Sequence, residues 1–201
     1  MAATERRERQ KLETREGILN AARQIARQDG WGAVTIRRIA DSIEYTPPIV
    51  YEYFASKDAL LEELQAQGFA ELADRVQASL ASEEDARQRL LTATGAYLDF
   101  AYTEPELYQL MHGGSSAAVS LDKTLAQATR VGNIMEGCLQ NWAAAEGITL
   151  ADPAAAVEMT WGLLHGLVSI EMLARISGGQ ARVQQLARQG IEALLASWAD
   201  A

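Results

Sequence analysis

The sequence has one cysteine, four prolines, two histidines and no apolar run long enough to cross a membrane. A single cysteine, Cys138, excludes a disulfide within the chain and fits the reducing cytoplasm, where we expect the protein to work. Few prolines, together with long stretches of Ala, Leu, Glu, Gln and Arg, favour an all-α fold. The first residues, MAATERRERQKLE, have no apolar segment, so we do not expect a secretion signal. The two histidines and the cysteine lack metal-ligand spacing, so we expect neither a metal nor a cofactor.

Charge is distributed unevenly along the 201 residues. Residues 1–57 contain 10 Lys and Arg against 8 Asp and Glu, whereas residues 58–201 contain 8 against 19. A basic segment on an acidic body is typical of a polyanion-binding head attached to a domain that does not bind polyanions. A small excess of arginine is also ordinary solvated surface, so charge alone leaves both interpretations open.

Apolar spacing and capping residues predict about nine helices. The first runs from about residue 13 to residue 28 and ends at Asp29-Gly30. Thr35 is a good cap for a second helix, IRRIADSI, which places its isoleucines on one face. A tight turn at Glu44-Tyr45 follows, with Glu44 in a left-handed conformation. The last two helices are predicted over 153–176 and 180–199.

The segment YTPPIVYEYFASKDAL predicts a very short third helix and the start of a fourth. Thr46 is the predicted cap, and two prolines occupy the first turn, where a missing N–H costs no hydrogen bond. Val50 and Phe54 are expected to pack inward, which leaves the tyrosine hydroxyls available. Ser56 is the predicted cap of the fourth helix.

A helix, a tight turn and a short second helix form a helix-turn-helix pattern, which by spacing alone is a weak signal. The full segment, ILNAARQIARQDGWGAVTIRRIADSI followed by TPPIVYEYFASKDALL, resembles the DNA-binding domain of the TetR family of bacterial transcriptional regulators. The sequence WGLLHG at 161–166 is similar to a Trp-x-x-x-His-Gly signature of one TetR subgroup. The resemblance implies a DNA-binding domain at 1–64 and a helical ligand-binding and dimerisation domain at 65–201.

Several residues are implied to face DNA: Thr35, Arg37, Arg38, Thr46, Pro47, Pro48, Tyr51, Tyr53 and Lys57. Lys57 begins a helix, so its ammonium and the helix dipole can meet one phosphate. Arg37 matches a position that reads guanine, whose O6 and N7 suit the guanidinium fork. The double proline departs from the family pattern and favours apolar contact with thymine methyl groups. Tyr53 could instead pack between the first and fourth helices.

The resemblance also implies a homodimer and a small-molecule pocket. Aromatic and sulfur side chains suit a small apolar effector: Tyr97, Phe100, Tyr108, Met111, Met135, Trp142, Trp161 and His165. At helical spacing each of these taken singly is more often plain core, while His165 is equally compatible with binding a ligand and with satisfying a buried carbonyl. The expected dimer interface lies on the last two helices and includes Gly162, Gly166, Leu186, Gly190 and Leu194; packing within the subunit is the alternative for the glycines.

These patterns predict a repressor that an effector releases from a palindromic DNA operator. A DNA-binding activator or structural protein without a ligand is the alternative. An enzyme is disfavoured because no catalytic constellation is present, and the Gly-Gly-Ser-Ser sequence at 113–116 lacks the lysine of a phosphate loop. A DNA-compacting protein is disfavoured by the acidic body. We expect no membrane association.

Overall fold

The computed structural model describes residues 2–81, 83–113 and 121–200. In this part of the chain the secondary structure is entirely helical, as predicted, and comprises α1 (Ala2–Asp29), a 3-10 turn (Trp31–Ala33), α2 (Ile36–Ser42), α3 (Pro47–Tyr53), α4 (Lys57–Ser79), α5 (Ala86–Thr103), α6 (Pro105–His112), α7 (Leu121–Glu146), α8 (Pro153–Met172) and α9 (Gly179–Ala199). The predicted number of nine helices is confirmed for these residues. None of the described helices has the length and apolarity that a membrane span requires. Most of the Gly-Gly-Ser-Ser sequence lies outside the described residues.

Two helix ends differ from the sequence prediction. Helix α1 begins at Ala2 rather than near residue 13, because the segment TERRERQKLE consists mainly of good helix formers. Helix α8 ends at Met172 rather than at 176. There Ala174 adopts a left-handed φ of 55°, and the Arg175 N–H donates to the Ile170 carbonyl at 3.1 Å, which closes the helix C-terminus.

The turn between α2 and α3 has the predicted conformation. Glu44 is left-handed, with a φ of 59°, and the Tyr45 N–H donates to the Ala40 carbonyl at 2.9 Å. This bond satisfies a carbonyl at the end of α2 and reverses the chain within two residues.

The chain divides into two compact units. The first comprises Met1–Gly68 with Pro105–Thr124, and the second comprises Phe69–Glu104 with Leu125–Ala201. The first unit has a core in which Ile18, Ile39, Val50 and Leu64 are fully buried. This unit includes α6, which the sequence analysis had assigned to the larger domain, and it extends four residues beyond the predicted boundary at residue 64.

The second unit has its own core. The large side chains at its centre are almost completely buried: Leu72, Leu90, Phe100, Leu139, Trp142, Val183 and Ile191. Helix α9 lies close against α8 at Gly190, where an added Cβ would come within 2.6 Å of the Leu163 side chain. A larger residue at Gly190 would therefore force the Leu163 side chain to move.

Candidate nucleic-acid interface and effector region

The N-terminus of α3 leaves a hydroxyl group available. Thr46 occupies the cap position, but within the described residues its side chain accepts no capping hydrogen bond. Pro47 and Pro48 have no N–H, and the next N–H, of Ile49, donates to the Thr46 carbonyl at 3.0 Å. The expected capping bond is thus missing because its donors are missing, and the Thr46 hydroxyl faces solvent on an exposed residue.

Helix α3 has one buried and one exposed face. Val50 and the adjoining Phe54 are at most 4% exposed, as predicted. Tyr51 is 54% exposed, and Pro48 is exposed beside it. Tyr53 is half-buried and packs against the core of the first unit. The exposed face therefore presents a proline ring and a phenol, whereas Tyr53 is a packing residue of the first unit.

The two arginines of α2 differ in their contacts. Thr35 caps the helix as predicted, since its Oγ accepts from the Arg38 N–H at 3.2 Å. The Arg37 side chain is 86% exposed and its Nε lies 3.9 Å from Asp41. The Arg38 guanidinium forms a 2.6 Å ion pair with Asp29 at the end of α1 and donates to the Ala33 carbonyl. Arg37 is hence available to an incoming ligand, while Arg38 links α1 to α2.

Lys57 begins α4 directly after its cap. The Ser56 Oγ accepts from the Ala59 N–H at 3.0 Å, which confirms the predicted cap. Lys57 itself is half-buried at the helix N-terminus, where the backbone dipole favours an anion. Thr35, Arg37, Thr46, Tyr51 and Lys57 all belong to the first unit.

Sequence reasoning missed the contacts that hold α6 against α1, the 3-10 turn and α4. Glu106 is 4% exposed, and its Oε1 accepts from Arg27 Nη2 at 2.6 Å and Arg27 Nε at 3.1 Å. The Trp31 indole N–H donates to the Glu106 carbonyl at 2.7 Å. Gln65 of α4 donates to the Leu110 and Met111 carbonyls. The sequence contained an indication of this packing, because Glu106 and Leu110 are four residues apart and therefore lie on one face of α6.

Most of the predicted effector residues are buried. Tyr97, Phe100, Met135 and Trp142 are core residues of the second unit, whereas Tyr108 and Met111 are core residues of the first. The Trp142 ring centroid lies 6.4 Å from that of Trp198. Within the described residues, Trp142 Nε1 and the Thr160 hydroxyl are buried without a hydrogen-bond partner. The interior of the second unit thus contains an unsatisfied donor.

The remaining two predicted effector residues lie on α8. The Trp161 side chain is 50% exposed, and its ring centroid lies 5.9 Å from that of His165. His165 Nε2 is 3.3 Å from the Ser169 hydroxyl. Partial burial lowers the pKa of His165 below its ordinary value, because desolvation disfavours the charged ring. These contacts leave Trp161 accessible.

A cavity of about 400 Å³ opens in the second unit, and its lining includes none of the predicted effector residues. Its wall includes apolar Leu80 and Ile134, together with Gly137 and Cys138, and the polar side chains Gln77, Arg89, Arg130, Asn133 and Asn141. Burial raises the pKa of the Cys138 thiol, and the Arg89 guanidinium opposes that effect. Arg130 is held by Asp74 at 2.6 Å. The polar lining suits a hydrophilic or anionic group better than an aliphatic chain.

The residues predicted for the dimer interface have different surroundings. Gly162 and Gly166 border open space, since a Cβ added to either would meet no described atom within 4 Å. Leu186 and Leu194 of α9 are half-buried. Gly190, by contrast, contacts Leu163 of the same chain. Packing within the subunit therefore accounts for Gly190 but not for the two glycines of α8.

Among the described residues, no group of three or more His, Cys, Asp and Glu side chains is arranged to hold a metal ion.

Comparison with family models assigns both parts of the chain. Residues 18–64 match the model described as "Bacterial regulatory proteins, tetR family". Residues 90–194, more than half of the chain, match "Tetracyclin repressor-like, C-terminal domain". The narrower resemblance to the Trp-x-x-x-His-Gly subgroup stays a prediction.

A curated relative matches part of the chain in sequence, and solved structures share its fold. The uncharacterized HTH-type transcriptional regulator YobS of Bacillus subtilis (strain 168) is 29% identical over 96 residues, which cover 48% of this chain and 50% of YobS. The match thus spans about half the length of that relative. A Rhodococcus sp. RHA1 protein of unknown function superposes with a TM-score of 0.81 at 21% identity, over 92% of this chain and 95% of that one. Bacillus subtilis FadR, solved with stearoyl-CoA, superposes with a TM-score of 0.73 at 18% identity, over 90% and 97% of the two chains. The family matches and the helix-turn-helix geometry together establish that this chain belongs to the tetR family of bacterial regulatory proteins.

Proposed function

We propose that the protein is a DNA-binding transcriptional regulator, and specifically a repressor that a small effector releases from a palindromic operator. The observation that carries the proposal is a set of donor groups on the first unit that solvent can reach. They are the Arg37 guanidinium, the Thr46 hydroxyl and the Tyr51 phenol of exposed residues, with the half-buried Lys57 at a helix N-terminus. Such donors suit phosphates and base edges.

Each donor has a distinct role in this proposal. Lys57 and the α4 N-terminus bind a phosphate, and the hydroxyls of Thr35, Thr46 and Tyr51 donate to neighbouring phosphates. Arg37 reads a guanine, and Pro48 contacts a thymine methyl group in the major groove. Arg38 acts mainly by positioning α2, since its guanidinium is occupied by Asp29. Tyr53 donates at the edge of the surface while its ring packs inward.

Binding to duplexes selected from a random library, followed by anisotropy titrations at several salt concentrations, tests this assignment. Lys57→Ala is expected to weaken binding to all duplexes alike and to lower the salt slope by about one unit. Arg37→Ala is expected to cost about 1–3 kcal/mol and to relax preference at one base pair. Arg87→Ala, an exposed arginine of α5, is the control for lost charge. If Lys57→Ala and Arg37→Ala both bind DNA like the parent protein, the assignment is refuted.

The homodimer of the proposal would form through α8 and α9. Met159, Gly162, Gly166, Ile170 and Leu173 recur at intervals of three and four residues, so they share one face of the helix. Met159, Ile170 and Leu173 are 46–64% exposed, which is unusual for side chains of their size and apolarity. A second copy related by a two-fold axis would cover this face and let the glycines bring two helices close.

The effector of the proposal is a largely apolar molecule with one polar acceptor. Trp142 Nε1 supports this class, because a buried unsatisfied donor costs about 1–3 kcal/mol and an effector carbonyl or carboxylate would satisfy it. Bacillus subtilis FadR, a neighbour in fold, was solved in complex with stearoyl-CoA, a molecule that combines a long acyl chain with polar acceptors. Tyr97, Phe100 and Met135 would supply the apolar wall, with Trp161 and His165 at its edge.

Trp142→Phe separates this effector site from the polar cavity. The change keeps an aromatic ring and removes the donor, so it is expected to weaken effector release of DNA without weakening DNA binding. Arg89→Ala alters the polar cavity and also removes the hydrogen bonds from Arg89 to the Leu80 and Glu83 carbonyls, so its Tm is measured in parallel. A ligand screen by thermal shift supplies the effector; release that depends on Arg89 and not on Trp142 would move the site to the cavity. A compound that strengthens DNA binding or transcription would favour the activator alternative.

A further inference from the structure

Helix α1 extends well beyond the core that it helps to form. From Thr4 to Glu13 every side chain is exposed, and the first side chain of α1 that is fully buried is Ile18. We call residues 4–13 the N-terminal arm. It is about 15 Å long at 1.5 Å per residue and contains four of the chain's basic residues, Arg6, Arg7, Arg9 and Lys11.

Two of these basic residues continue the stripe of α1 that faces the core of the first unit. Ile18, Ala22 and Ile25 form the buried stripe, and helical periodicity extends it back to Arg15, Lys11 and Arg7. Arg15 already follows this rule. Its guanidinium lies 3.1 Å from Glu63 of α4 and 4.9 Å from the Phe54 ring centroid.

The other charged residues of the arm have different directions. Arg6 and Arg9 project from the opposite side of α1, where they line a shallow depression with Gln10 and Glu13. Glu5 lies on that side as well, and Glu8 lies at the edge of the stripe that faces the core of the first unit. The stripe that runs through Arg7 and Lys11 is consequently basic, although the arm as a whole is nearly neutral.

The contacts of α1 show the direction in which the arm extends. Near the C-terminus of α1, Arg27 contacts Glu106 of α6. Arg15 instead contacts Phe54, directly after α3, and Glu63 of α4. Residues before Arg15 therefore extend away from the Arg27 contact and beyond Phe54.

Helix geometry gives the positions of the two basic residues along the arm. Lys11 and Arg7 precede Arg15 by about 6 and 12 Å, at 1.5 Å per residue. Both lie beyond the contact of Arg15 with Phe54, which follows α3 in the chain.

We propose that the N-terminal arm is a second DNA-binding element, in which Arg7 and Lys11 bind backbone phosphates flanking the base pairs contacted by α3. The inference rests on the proposed DNA binding and adds a partner surface to it. Duplex DNA is the occupant because the stripe is basic and exposed, because it extends the face of α1 on which Arg15 contacts Phe54 after α3, and because guanidinium and ammonium groups bind phosphates without reading sequence. The arm increases affinity and salt dependence, not base preference.

The test compares two double variants of equal charge in the full-length protein. Arg7→Ala/Lys11→Ala is expected to lower the slope of log K against log salt by about two units for each arm, at roughly 0.9 per phosphate. Arg6→Ala/Arg9→Ala removes the same charge from the opposite side and is expected to keep most of the parent slope. Circular dichroism confirms that both variants keep their helices.

A shortened duplex identifies the contacted phosphates. Removing the base pairs that flank the selected site is expected to weaken the parent and to abolish its difference from Arg7→Ala/Lys11→Ala. Equal effects of the two double variants would mean that only net charge matters, and would overturn the inference. Parent-like binding by Arg7→Ala/Lys11→Ala overturns it while DNA binding stands, whereas a parent that binds no duplex overturns both proposals.

Discussion

The ion pair between Arg27 and Glu106 is expected to respond unequally to the loss of its two members. The Glu106 side chain is 4% exposed, whereas the Arg27 side chain is 56% exposed. Removing the arginine leaves a carboxylate that water cannot easily reach. Removing the carboxylate leaves a guanidinium that is already half in water. Desolvation, rather than the strength of the pair, therefore sets the cost of each change.

The magnitudes follow from this difference. Arg27→Met keeps most of the apolar stem and is expected to cost about 2–3 kcal/mol, below the 3–5 of a fully buried pair because Arg27 is partly exposed. Glu106→Gln keeps the volume and one acceptor for Arg27, so about 1 kcal/mol is expected. The double variant should be more stable than Arg27→Met alone, because the buried charge is gone. Each kcal/mol corresponds to about 2–4 °C in Tm for a chain of this size.

Urea unfolding of the three variants, with hydrogen exchange of the α6 amides, measures these costs. Arg38→Met is the matched control, since Arg38 and Asp29 are also 2.6 Å apart but are 45% and 49% exposed. Its loss is expected to cost less than about 1 kcal/mol. If Glu106→Gln costs as much as Arg27→Met, or if Arg38→Met matches Arg27→Met, burial does not determine the cost and the reasoning fails.

Three further predictions concern the second unit and α1. Gly166→Leu should preserve the fold, because space around Gly166 is open, but should yield monomers in sedimentation experiments. Gly132→Leu, at an equally open position on α7, is the control. A dimeric Gly166→Leu protein would place the interface elsewhere. The pKa of His165 is lowered in the folded state, so the unfolded chain binds the proton more readily. The protein should therefore become less stable as pH falls below about 6.5. Unfolding measured at several pH values should show a weaker pH dependence for His165→Gln. Gly190→Ala should destabilise the protein by about 1–3 kcal/mol through its clash with Leu163. Gly17→Ala has open space around it and should stabilise α1 by about 0.5–1 kcal/mol. Equal Tm values for the two variants would contradict the packing argument.

Local chemistry made part of this structure predictable from the sequence. The caps at Thr35 and Ser56, the helix start at Pro47 and the left-handed Glu44 depend on residues within one or two turns. The inward Val50 and Phe54 follow from helical periodicity alone. The start of α1 was also local information, because its first residues are good helix formers, although the prediction placed it about eleven residues too late.

Other features depended on partners that are distant in sequence. The sequence could not assign α6 to the first unit, because the assignment depends on Arg27, Trp31 and Gln65, which lie 45 to 79 residues away. The family resemblance made Gly190 a candidate for the dimer interface, yet its contact with Leu163 is set by the position of another helix of the same chain. The sequence by itself determined where helices begin, turn and end, since those choices are made by neighbouring backbone donors and acceptors. Only the tertiary structure decided which charges are buried, paired or open, because burial is a property of the packed chain and not of any segment in it.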